Sequence, residues 1–142
     1  MEFKLFSKSL KDTVKIAKQV SKLLRGGEVI CLTGDLGAGK TTFTQSLLKF
    51  LGVKEIVASP TFTIAKMYNV KKGMIYHLDL YRIESQDELL ELGLQEMLDN
   101  AYLVVVEWPE IAKEYIGGGA ININITFDEG HNRVFTISGG KK

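Results

Sequence analysis

The alternation of apolar and polar positions sorts most of the chain into short strands and amphipathic helices. Residues 2 to 6 read as a strand, and Ser9 with Asp12 marks a helix start with a capping side chain. Leu10, Val14, Ala17, Ser21 and Leu24 recur on one helical face, and Gly26-Gly27 ends the element. Val29 to Thr33 is a short apolar run of the kind buried in parallel sheets, and Thr42 to Leu51 has helical spacing ended by Gly52.

Ser59-Pro60-Thr61-Phe62 then makes a stiff strand entry, because proline fixes its own φ and pushes the residue before it towards extended geometry. Thr63 to Tyr68 alternates, a turn falls at Lys71-Lys72-Gly73, and Met74 to Tyr81 follows as a second strand. Period two sets His77, Asp79 and Tyr81 on one face, expected to be displayed, with Leu78 and Leu80 on the other. Ser85 and Glu88 form a capping box for a helix carrying Leu89, Leu90, Leu92 and Leu94, with Gly93 read as a kink within it. Ala101 to Val106 is a near-continuous apolar run ending in Glu107-Trp108-Pro109, and a short helix from Pro109 stops at Gly117-Gly118-Gly119. Ile121 to Ile125 alternates strictly, turns near Glu129-Gly130 and resumes at Val134 to Ile137, an antiparallel hairpin with one wet face.

The stretch Gly34-Asp35-Leu36-Gly37-Ala38-Gly39-Lys40-Thr41 changes this picture from architecture to chemistry. It matches G-x-x-x-x-G-K-[ST], lies between a strand-like and a helix-like run, and so reads as a phosphate-binding loop. Clustered phosphate charges need donors that converge without bulky side chains, and Gly37 and Gly39 let backbone N–H groups turn inward along Leu36 to Thr42. Lys40 adds a flexible point charge, the helix start adds its positive dipole end, and Thr41 offers a hydroxyl to Mg²⁺, which prefers hard oxygen ligands. The fold expected is α/β: a P-loop NTPase-like three-layer arrangement with a largely parallel sheet and an antiparallel C-terminal hairpin, forming one domain over residues 1–142.

Charge and composition narrow the partners. A net charge of +1 with 25% charged residues makes no global electrostatic case for nucleic acid. Lys11, Lys15, Lys18 and Lys22 line one face of the first helix, as either a solvated side or a partner or RNA surface. The one cysteine, Cys31, leaves no internal disulfide framework and reads as a small buried residue. No stretch approaches the roughly 20 apolar residues of a membrane span, and the first residues lack a signal peptide's apolar region, so a cytoplasmic protein without membrane contact is expected.

A phosphate loop works with an acidic residue at the end of another buried strand, and Glu107 occupies that place, to hold Mg²⁺ or orient water, or else as a solvated strand terminus. Asp79 is a second candidate, since ligands of open α/β sheets bind at the C-terminal strand ends, or else a turn carboxylate paired with Arg82. His77 reads as hydrogen-bonded structure ahead of catalyst, and Trp108 as a packed anchor or a stacking surface. The chain has no [NT]-K-x-D guanine reader, which favours ATP. With only Arg25, Arg82 and Arg133 there is no arginine-rich lid, which favours hydrolysis over transfer. A small-molecule kinase and a nucleotide-dependent interaction module remain alternatives.

Together, G-D-L-G-A-G-K-T-T-F, S-P-T-F, H-L-D-L-Y-R and E-W-P-E closely resemble, in order and spacing, the TsaE family of ATPases required for making threonylcarbamoyladenosine in tRNA. The resemblance implies a domain that works with TsaD and TsaB, its ATP hydrolysis supporting turnover of the complex and any tRNA contact made through that complex. It makes Ser59 to Phe62 a switch I segment and His77 to Arg82 a switch II segment. Thr41 and Glu107 fall at the magnesium site, and Thr42, Thr61 and Asp79 at positions tied to nucleotide sensing or turnover. Arg133 matches a basic position near the nucleotide base, which Ser9 of the N-terminal segment approaches.

Overall fold

The computed structural model describes residues 2–34, 39–55, 57 and 64–140. Its strands are β1 (Glu2–Ser7), β2 (Glu28–Gly34), β3 (Ala65–Val70), β4 (Gly73–Asp79), β5 (Leu103–Glu107), β6 (Ile121–Phe127) and β7 (Arg133–Gly139). The helices are α1 (Leu10–Leu23), α2 (Lys40–Phe50), α3 (Gln86–Leu92), α4 (Leu94–Asn100) and α5 (Lys113–Ile116), the last preceded by a 3-10 turn (Pro109–Ala112).

Among the described residues, seven strands join one sheet in the order β1-β7-β6-β2-β5-β4-β3. The central strands β6, β2, β5 and β4 pair in parallel. The flanking pairs β1 with β7, β7 with β6, and β3 with β4 are antiparallel. The expected hairpin is thus β6–β7, with β1 added to its outer edge.

Helices cover both faces, giving the three layers expected. Under α1 and α2, Ile16, Ala17, Val20, Phe43, Leu47 and Leu48 pack on Ile30, Leu32, Ile75, Leu103, Val105, Ile123 and Ile125. On the opposite face Leu89, Leu94 and Ala112 pack on Leu78, Val104 and Val106. Because β5 is buried along its whole length, its five residues need no polar alternation, which is why the run is continuously apolar up to its last position. No helix among the described residues is long and apolar enough to cross a membrane.

Two expectations about helices are corrected. The buried face of α1 is Thr13, Ile16, Ala17 and Val20, running on to Leu24, whereas Leu10 is 65% exposed. That face puts Ile16 and Val20 in the core, and Thr13 turns inward with them at the first turn, its buried hydroxyl 2.7 Å from that of Ser7. Ser9 caps α1 as read, accepting from the Asp12 N–H at 3.2 Å. Gly93 is no kink within one helix: at φ 78° it ends α3 and opens α4. A residue with a β-carbon resists that left-handed geometry.

Candidate functional site

Strand polarity gathers the site at one rim. Strands β2, β5 and β4 end there in Gly34, Glu107 and Asp79, the register aligning Leu32 with Glu107 and Glu107 with Asp79. The C-terminal ends of parallel strands are where ligands of open α/β sheets bind. The loop after β2 returns into α2, whose first residue is Lys40 and whose cap is Gly39 at φ 101°. Leu36, Gly37 and Ala38 of the loop, and Thr61 with the rest of the Ser59 to Phe62 segment, lie outside the described residues.

Lys40 is buried and donates from Nζ to the Gly34 carbonyl at 2.7 Å. Its ammonium also sits 4.5 Å from the centroid of the Trp108 ring, a cation–π contact. Trp108 in turn packs on Tyr81, with ring centroids 4.9 Å apart and planes inclined by 56°. The tryptophan is held at φ 54°, ψ 60°, a left-handed conformation rare for a bulky residue, before Pro109 opens the 3-10 turn. Trp108 is therefore a packed anchor against the site's lysine. Thr41 and Thr42, in the first turn of α2, are half-buried beside it.

The polar face expected on β4 is corrected at His77. The ring is 0% exposed, because β4 lies inside the sheet and both its faces are covered. It contacts Glu107, 3% exposed, with Nε2 to Oε2 at 2.7 Å. A carboxylate only accepts, so Nε2 carries the proton that is donated. Nδ1 is buried and has no partner among the described residues. Leaving such an atom unsatisfied costs about 1–3 kcal/mol. Asp79, half-buried, accepts from the Tyr81 N–H at 3.0 Å and makes no ion pair with Arg82 among the described residues.

Arg133 begins β7, beside Ser7 of β1 and Phe127 of β6. Its guanidinium stacks 5.7 Å from the Phe127 ring centroid, and its side chain lies against Gly39. The structure thus brings Gly39, Lys40, Thr41, Thr42, Asp79, Glu107 and Arg133 to one rim. Ser9 sits two residues past Ser7, the register partner of Arg133.

The rim also holds residues that the sequence did not flag. A cavity of about 190 Å³ is lined by Thr33, Lys40, Trp108, Glu110, Asn124 and Thr126 among others. Thr33 donates to Asn124 across β2 and β6 at 3.0 Å. In the sequence Asn124 and Thr126 are only the polar half of an alternating strand; the parallel pairing of β6 with β2 is what carries them to the loop.

Residues 7–135 match the family model described as Threonylcarbamoyl adenosine biosynthesis protein TsaE. The chain belongs to the TsaE family. A relative named tRNA threonylcarbamoyladenosine biosynthesis protein TsaE from Bacillus subtilis (strain 168) is 39% identical over 132 residues, 92% of this chain and 82% of its own. Proteins of the same name from Aquifex aeolicus (strain VF5) and Rickettsia prowazekii (strain Madrid E) are 46% identical over 104 residues and 38% over 130. The alignments cover 72% and 73% of the two chains in the first case, and 91% and 90% in the second. Among solved structures, the crystal structure of Bacillus subtilis YdiB superposes with a TM-score of 0.83 at 32% identity, covering 99% of this chain and 87% of that one. This TsaE chain therefore has the family's role in tRNA threonylcarbamoyladenosine biosynthesis and a fold already seen in a solved relative.

Proposed function

We propose that this TsaE protein binds and hydrolyses Mg-ATP, as the ATPase partner of TsaD and TsaB in forming threonylcarbamoyladenosine on tRNA. The observation that carries the proposal is the placement of Lys40 at the start of α2, one strand away from Glu107, on the face that α2 covers. A helix start, an ammonium and a carboxylate converging at a strand rim make a phosphate and metal site, whereas a structural rim has no need of a buried lysine.

The residues fit magnesium. Thr41 and Glu107 offer hard oxygens, and among the described residues no group of three or more His, Cys, Asp or Glu could cage a metal alone. That donor set suits an ion held by one or two protein oxygens together with phosphate and water. Magnesium, when bound, neutralises charge on the phosphate oxygens. Lys40 exchanges the Gly34 carbonyl for a phosphate oxygen and stabilises charge that develops there. Asp79 or Glu107 orients the attacking water, Thr42 and Thr61 respond to the nucleotide, and Arg133 with Ser9 borders the base. Leu36 to Gly39 supply backbone donors.

With no arginine among the described residues at Lys40 or Glu107 apart from Arg133 against Gly39, slow turnover alone and stimulation by partners are expected. Phosphate release is measured for the protein alone and with TsaD, TsaB and tRNA. Faster release in the mixture supports the proposal, and equal rates with and without the partners refute the dependence on them. Label from the γ-phosphate appearing on an acceptor would mark a kinase instead, and normal modification by a hydrolysis-dead variant would mark a binding module.

A further inference from the structure

On the face that α2 covers, the inward positions of β4 and β5 run Ile75, His77 and Leu103, Val105, all 0% exposed. An aliphatic residue at 77 would satisfy that packing without the unpaired Nδ1 described above. Packing alone therefore does not account for a histidine here; its buried partner Glu107 does. What the ring does supply is directional: in register His77 lies opposite Val105, and it reaches one step further along the face to Glu107, two residues on.

We propose that His77 is a positioning residue for Glu107, its Nε2–H holding Oε2 so that Oε1 is the oxygen left for magnesium or for a water. The inference rests on the reading of Glu107 as a magnesium-site residue. A glutamate at a strand end has three rotatable side-chain bonds, and magnesium demands near-ideal octahedral geometry, so an untethered carboxylate would meet the ion in many wrong orientations. Partners that orient metal-binding carboxylates typically change metal affinity by about 10- to 100-fold when removed. His77 also belongs to β4, the strand that ends in Asp79, so one hydrogen bond ties the two acidic strand ends together below the rim.

The side-chain geometry supplies the test. Glutamine places its Nε2 about where the ring has its own, methionine fills similar volume without a donor, and asparagine is polar but too short to reach Glu107. The full-length variants H77Q, H77M, H77N and E107Q are compared with the parent for the Mg²⁺ concentration that gives half-maximal binding of ATP, followed by calorimetry, and for urea midpoint. H77M and H77N are expected to raise the Mg²⁺ midpoint about 10- to 100-fold, and H77Q to stay within about threefold of the parent, whatever the order of their urea midpoints. H77M and H77N with the parent's Mg²⁺ midpoint, while E107Q shifts it, would overturn the positioning role and leave the role of Glu107 standing. An unshifted E107Q overturns the magnesium reading itself. Should H77M fail to fold, the contrast between H77Q and H77N decides alone: equal midpoints for the two overturn the inference.

Discussion

The Arg133 side chain lies so close to Gly39 that a β-carbon built there would come within 2.8 Å of its Nε and 3.1 Å of its Cδ. The two residues are 94 positions apart (133 − 39), and the contact clamps β7 onto the cap of the phosphate-loop helix.

Gly39→Ala meets two obstacles. The arginine can swing aside, but φ 101° cannot be relieved by a neighbour, and a residue held there costs about 1–3 kcal/mol. Urea denaturation should show a loss of that size. Adding Arg133→Ala should restore only the steric part, so the double variant stays less stable than Arg133→Ala alone.

Lys40→Ala removes charge-assisted hydrogen bonds worth about 1.5–3 kcal/mol each, which is about 10- to 100-fold in ATP affinity. Trp108 is the one tryptophan in the chain and lies under the Lys40 ammonium, so it reports the event directly. A ligand that draws the ammonium from the ring should change tryptophan emission on ATP addition. In Lys40→Ala the emission should already differ and should no longer respond; an unaltered ATP response would contradict the site assignment.

Much of this was legible in the sequence, and the parts that were not share a cause. The strand, loop and helix around Lys40 announce themselves because glycine spacing and a continuous apolar run are local signals. Glu107 could be placed for the same reason, as the first charge after a run too apolar to be anything but a buried strand. His77 makes the hydrogen bond expected of it, but its burial was not legible, because period two says which residues share a face and not whether a layer of helices covers it. The buried contact of Thr13 is with Ser7 across a loop, and the approach of Arg133 to Gly39 depends on a strand order that inserts β7 between β1 and β6. Such facts belong to tertiary arrangement, which no window of residues contains.

Cys31 should be inert. Burial pushes its thiol from 9.0 up to about 11, outweighing the opposing charge of Lys113. The thiolate fraction near pH 8 is then about 100-fold below that of an exposed thiol, so reaction with a disulfide reagent should be slow in buffer and fast in urea. Because the folded state favours the neutral thiol, its contribution to stability is full below about pH 9 and fades as pH rises through about 11. Rapid labelling of the native protein at pH 8 would show that the strand opens.

Leu47→Ala removes a fully buried side chain where α2 meets the sheet. A loss of about 2–5 kcal/mol is expected, read as a lower urea midpoint with an unchanged slope. Since α2 also carries Lys40 and Thr41, a variant that stays folded should keep its ATP affinity, separating the anchoring of the helix from the chemistry at its start.

The insertion of β7 between β1 and β6 sets a timetable for synthesis. Of the described strands, β1 is made before the others and has β7, made after them, as its neighbour in the sheet, with Glu2 opposite Ser138. While the ribosome is still adding the hairpin, β2 and α2 can already be present, yet β1 waits and Arg133 is missing from Gly39. Pairings between segments far apart in sequence are slow to find. Among the described residues, the clamp on the phosphate loop is thus a late contact to form.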